Sequence, residues 1–305
     1  MNDMTLRSHL WLLVAGALAP MVVFAVAAAV LLLRQESAAV ERDAIGRARA
    51  AMSAVDVHLR ASIASLETLA ASKHLESGDI AAFHDESQRV LRTQPSWVNI
   101  GLISADKMQL SNAVYAYGKP EPMTLEDQSF LAVMRGAKAG IGGVAAGTAV
   151  RSPTVRVRVP VHVGDEVRYV ISAPLNLRHL AAVLEAQRVP PSWVIALMDR
   201  EQHFIVRIPA VAAGSPVPDG LRQAGGGAPE GWLEGRAADG RRTYTPYVTS
   251  QLSGWVLAIV MPGDAVDANA RRTFFILGAG ALLALAMGGL LAWLIAKRIA
   301  PDAAR

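Results

Sequence analysis

The chain has 305 residues, a net charge of +4, 52% hydrophobic residues and no cysteine. The lack of thiols excludes a disulfide scaffold and any thiolate metal site. Lys and Arg outnumber Asp and Glu by only 30 to 26, and the seven histidines show no ligand spacing, so neither a nucleic-acid footprint nor a metal or cofactor site is expected.

Residues 10–33 form an apolar run of 24 residues without a single charge, and residues 273–296 form a second of the same length. At about 1.5 Å per residue each reaches roughly 36 Å as a helix, enough for a hydrocarbon core of about 30 Å with some tilt. Both read as membrane spans, in contact with lipid, which places residues 34–272 on one side and the short tails, 1–9 and 297–305, on the other. Arg7 before the first span and Lys297-Arg298 after the second favour cytoplasmic tails, hence a multi-pass inner-membrane protein with a periplasmic middle. A cleaved signal peptide ending near Ala25-Val26-Ala27 is the alternative for the first run. A signal core normally covers 7–15 residues, however, and this one continues through Leu31-Leu32-Leu33.

Residues 35–75 contain no Pro and one Gly, and read as one long helix. Its larger apolar residues Ile45, Met52, Val55, Leu59, Leu66 and Leu69 follow a single stripe at intervals of seven, three, four, seven and three. That stripe packs on its own domain or against a second copy, as in a coiled coil. Residues 34–94 are therefore assigned to a long helix and its connector.

From Trp97 the period becomes two. The runs WVNIGLIS and QLSNAVYAY are joined by the turn Ala105-Asp106-Lys107, and a helix over about 125–137 follows. Gly140-Ile141-Gly142-Gly143 follows that helix without a preceding strand and reads as a bend or loop. Two strands, TVRVRVPVHV and EVRYVISAPL, are joined at Gly164-Asp165, and residues 177–187 return to helix.

After Pro190-Pro191 the plan repeats. SWVIALMD and HFIVRIP flank a short turn, residues 210–227 form a loose loop, and EGWLEGRA, RRTYTPYV and SGWVLAIVMP supply three more strands. PSWVNIGLIS opens the first unit and PSWVIALMD the second, which points to a duplicated module. The fold class is α+β, with two tandem antiparallel-sheet units, membrane-distal at 95–189 and membrane-proximal at 190–272.

This order of anchor, long helix, paired units and second span resembles the double Cache family of bacterial extracytoplasmic sensors over essentially the whole chain, which implies that the two tandem units are PAS-like and that 34–94 is a signalling helix with its connector. PSWVIALMDREQHFIVR, and DGRRTYTPYVTSQLSGWVLAIVMP with its Ser253-Gly254-Trp255 closing strand, are similar to the membrane-proximal half of such domains in sensor histidine kinases. IAKRIAP, from Ile295 to Pro301, resembles the cytoplasmic start of a HAMP linker. The resemblance implies a small-molecule pocket in the distal unit and a homodimeric receptor, with chemotaxis receptors and diguanylate cyclases as other possible hosts. Amino-acid-binding members carry an Arg-rich aromatic motif after the second distal strand. Here that stretch reads YAYGKPEPMTLEDQSF, without arginine, which weakens the case for an α-amino-acid ligand.

Candidate ligand contacts follow from strand alternation. TVRVRVPV puts Arg156 and Arg158 on one face and Val155, Val157 and Val159 on the other, and two such arginines beside Asn99 suit an anionic ligand such as a carboxylate. The same alternation also fits a sheet with one solvated face. Trp97, Tyr115 and Tyr169 either line that pocket or fill core. No GxSxG, HExxH, GxxxxGK or kinase core occurs, so no catalytic site is expected in this chain. In the second span Gly280, Ala284, Gly288, Ala292 and Ala296 recur every four residues, a stripe that lets helices approach closely and suits a dimer. A receptor input region is the favoured class, and an envelope-assembly protein anchored twice is the rival.

Overall fold

The computed structural model describes residues 6–118, 121–122, 127–146, 152–237 and 239–299. The chain divides into two compact units, Met1–Asp43 with Gly263–Arg305, and Ala44–Pro262.

The first unit contains the start of helix α1 (Leu6–Ala70) and helix α7 (Gly263–Ile299), each an unbroken helix through its apolar run. Among the described residues no helix is long and apolar enough to cross a membrane. Side chains 6–22 and several in 273–296 lie outside the described residues, as do residues 1–5 and the end of the expected HAMP-like stretch from Ala300. Those apolar side chains that are described are bare: Phe24 is 75% exposed and Phe275 74%.

In the second unit α1 buries Ala44, Ala48, Met52, Val55, Leu59, Ser62, Leu66 and Leu69. These recur at three or four residues, so one stripe of the helix meets the sheets along its length. The helix ends at Ala70, short of the expected 75, because Ser72 caps a new helix. That helix, α2 (Lys73–Ser77), closes on Gly78, whose φ of 76° is the left-handed conformation glycine adopts without strain. Asp79 then caps α3 (Ile80–Leu91) by accepting from the Ala82 N–H at 3.0 Å.

The distal sheet is built from β1 (Gly101–Ser104), β2 (Met108–Asn112), β3 (Glu121–Pro122), β4 (Gly140–Ile141), β5 (Ala145–Ala146), β6 (Pro153–Val163) and β7 (Glu166–Leu175). Its order is β3-β2-β1-β7-β6-β4, with β5 also pairing β6, and every described pairing is antiparallel. Helix α4 (Asp127–Met134) falls within the expected 125–137, of which Leu125 and Glu126 lie outside the described residues. The reading of Gly140-Ile141 as a bend is corrected: the two residues pair with Arg158 and Val157 of β6. A two-residue strand carries no periodicity, so only the neighbouring β6 could reveal it.

Helix α5 (Leu177–Glu185) leads into the proximal unit, where β8 (Val194–Met198), β9 (Phe204–Ile208), β10 (Glu230–Arg236), β11 (Arg242–Thr249) and β12 (Val256–Pro262) order as β10-β11-β12-β8-β9. Helix α6 (Asp219–Arg222), a single turn, breaks the expected loose loop. Ala196, Met198, Phe204, Val217, Tyr247, Val256 and Ala258 form the proximal core.

Candidate ligand-binding site

Strand β6 is the longest in the molecule, and the arginine question is decided by what covers its two faces. Val155, Val157, Val159 and Val161 are level with Leu175, Ala173, Ile171 and Tyr169 of β7. This face meets the helices: Trp97, bridged to Leu175, donates its Nε1–H to Ser62 of α1 at 3.2 Å, and His84 of α3 lies 2.9 Å from Ser111 of β2. The other face carries Thr154, Arg156, Arg158 and Pro160, level on β7 with Pro174, Ser172 and Val170, and α4 covers it through a cluster of Ile103, Phe130, Val133 and Val170.

The arginines therefore do not decorate a solvated face. Arg158 is fully buried and Arg156 is 4% exposed. A guanidinium is costly to bury unless its donors are met. Arg158 Nη1 donates to Ser129 Oγ of α4, and both arginines make further polar or electrostatic interactions. Two other buried acceptors of the distal unit are less well served. Asn99 Oδ1 and Thr154 Oγ1 are buried without a hydrogen-bond partner among the described residues. Alternation gives Thr154 the face of Arg156 and Arg158, whereas residues 98–100 lie outside the strands, before β1 starts at Gly101, and alternation assigns Asn99 no face.

Of the six residues singled out in the sequence, Arg156 and Arg158 share one face of β6. Trp97 and Tyr169 do not join them. Trp97 pairs with Leu175 while Gly101 pairs with Ser172, so the first strand holds one residue more than its partner and Trp97 turns onto the α1 face. Tyr169 is level with Val161 on that same face, 7% exposed, with the Arg168 guanidinium 5.5 Å from its ring. Tyr115 is 52% exposed. Thr154 was legible, being two residues from Arg156, but Ser129 was not, since helix α4 reaches β6 only through tertiary packing.

A cavity of about 80 Å³ lies beside this face, lined by Gln128, Ser129, Gly140, Gly142, Arg200 and Trp255 from both units. A more open cleft of about 400 Å³ near the end of α1 is lined by residues that include Glu67, Leu75, Glu76, Lys138 and His162. Neither has Arg156, Arg158 or Asn99 in its wall. Elsewhere, the His58 ring of α1 meets that of His179 of α5 at a tilt of 30°, centroids 4.6 Å apart, and burial followed by the neighbouring His179 holds its pKa below the ordinary imidazole value.

No family profile matches the chain, and no curated protein matches it. Solved structures do. The extracellular domain described as that of a histidine kinase, rpHK1S-Z16, aligns with a TM-score of 0.57 at 14% identity, covering 76% of this chain and 97% of its own. The periplasmic sensory domain of the Campylobacter jejuni chemoreceptor Tlp1 aligns at 0.56 and 12%, over 76% and 98%. The ligand-binding domain of the Pseudomonas fluorescens chemoreceptor CtaA, in complex with L-isoleucine, aligns at 0.56 and 11%, over 77% and 95%. The chain has the double Cache fold. Its distal and proximal sheets are the two units of that double Cache architecture, and at these identities the likeness establishes the fold alone.

Proposed function

We propose that this chain is the extracytoplasmic ligand-sensing and transmembrane signalling region of a bacterial receptor, with a sensor histidine kinase as the leading output. The rival reading is input to a chemotaxis receptor or diguanylate cyclase, and a twice-anchored envelope-assembly protein is the alternative outside signalling. One observation supports the sensing role: a buried face of the distal unit holds Arg156 and Arg158 beneath α4. The ligand is a small molecule bearing a carboxylate, met by the β6 arginines in place of the arginine missing from YAYGKPEP. Residues 10–33 and 273–296 cross the inner membrane. Their bare phenylalanines, leucines and valines support this, since so large an apolar surface needs a cover other than water. A homodimer joined along α1 and the second span completes the receptor.

The test is a thermal-shift screen of the 305-residue chain in lipid nanodiscs against C2–C6 organic acids and aliphatic α-amino acids. A ligand at 100 times its Kd adds about 2.7 kcal/mol by mass action, or roughly 5–10 °C for a unit of this size. Arg158→Ala and Asn99→Ala should each reduce that gain. A panel with no stabilising carboxylate, or a stabiliser acting equally on both variants, overturns the assignment.

A further inference from the structure

The turn after β8 contains a carboxylate with no place in ligand binding. Asp199 is fully buried. Its Oδ1 accepts from the N–H groups of Glu201 at 3.0 Å and His203 at 2.8 Å, which closes its own turn. Its Oδ2 instead leaves the proximal unit and accepts from the Val144 N–H of the distal unit at 3.0 Å. An aspartate that only shaped a turn would have no use for that second, long-range bond.

Val144 sits at a telling place. Residues 140–142 are bonded to the strand that carries both arginines: Gly140 pairs with Arg158, Ile141 with Val157, and the Gly142 N–H donates to the Arg156 carbonyl at 2.9 Å. Gly143 lies so close to the carboxylate that a Cβ there would stand 2.8 Å from Asp199 Oδ2. A second bridge runs from α4, where Gln128 Nε2 donates to Glu201 Oε1 at 3.2 Å, one residue before the Ser129 that meets Arg158.

On its other side the same turn grips the closing strand. Arg200 Nε donates to the Ser253 carbonyl at 2.7 Å, and Gly254, at φ +69°, leaves no room for a Cβ, which would come within 2.4 Å of Arg200 Nε. Ser250, at the start of this bend, donates to Asp56 of α1 at 2.7 Å, and β12 follows directly, paired with β8 from Val256↔Met198 onward.

We infer that Asp199 is the positioning residue that couples the arginine-bearing face of the distal unit to the Ser250–Trp255 bend and so to the two chain segments, α1 and β12, that leave the sensor. Its carboxylate holds segment 142–144 and the turn 199–203 as one piece, and Arg200 passes that position on. The signalling meaning rests on the ligand reading given above, but the coupling itself is a property of the protein without ligand and is tested that way.

The experiment is amide hydrogen exchange, read by mass spectrometry, on the 305-residue chain in lipid nanodiscs. Asp199→Asn keeps the shape of the side chain but only one carbonyl oxygen. Exchange over 142–146 and over 250–256 should both rise by about tenfold or more, the change implied by losing one hydrogen bond to a charged group, while the β6–β7 hairpin keeps its wild-type rate. Gly143→Ala attacks the same contact from the distal side and should give the same pattern. The double variant should add little to either single one, because both break one contact. A rise confined to 142–146, no rise in either segment, or a uniform rise that includes the hairpin overturns the proposal. Should Asp199→Asn fail to fold, the Gly143→Ala pattern decides the matter by the same criteria.

Discussion

Gly140→Ala is a sharp test of how the distal site is closed. An added Cβ would stand 2.3 Å from the Ser129 carbonyl oxygen and 3.0 Å from its carbon, with the Val133 Cγ2 also at 3.0 Å. A carbon normally approaches a carbonyl oxygen no closer than about 3.3 Å, so about 1 Å of separation must be found. It cannot come from a rotamer change, because the obstacle is backbone of α4 and Gly140 is itself paired with Arg158. Overpacking typically costs about 1–3 kcal/mol, and a backbone obstacle puts this case at the upper end. About 3 kcal/mol corresponds to a fall in Tm of roughly 6–12 °C for a domain of this length. The assay is calorimetry, paired with Gly46→Ala on α1 as a control. Gly46 is mid-helix with nothing within 4 Å of the added Cβ, so that variant should gain about 0.5–1 kcal/mol. A Gly140→Ala protein that melts within 2 °C of wild type would refute the close seating of α4 on β4, and with it the buried setting of Arg158.

Acid should weaken the contact between α1 and α5. The His58 pKa is depressed in the folded protein, by burial first and by His179 second, so its contribution is fully present above the unfolded value of about 6.5 and is lost as pH falls through the folded one. His58→Gln should therefore flatten the decline of Tm from pH 7 to pH 5, and an unchanged decline rejects the role of the pair. In the second apolar run, single cysteines at Gly280, Ala284 and Gly288 should crosslink between copies more than those at Leu282 or Ala286, the chain having no native thiol to interfere. Equal yields around the helix remove the dimer stripe.

The sequence by itself marked the longer strands of both sheets, the apolar runs and the long helix, because each depends on local periodicity: 3.6 residues for the α1 stripe, two for the β6–β7 hairpin, Gly164 at the turn. It also singled out Arg156 and Arg158, since alternation alone puts them on one face. Whether that face meets water was beyond it. Val-Arg alternation is the same for a solvated sheet and for one roofed by a helix, and only the packing of Phe130 and Val133 over Val170 decided for burial. Trp97 was separated from the arginines by one extra residue between it and Gly101, which no composition signal marks, and Tyr169 by the β6–β7 register that sets it level with Val161. The two-residue strand at Gly140 and the reach of Asp199 to Val144 lay equally out of view. Each depends on residues brought together from distant parts of the chain, and a pattern read along one segment contains no term for its neighbour in space.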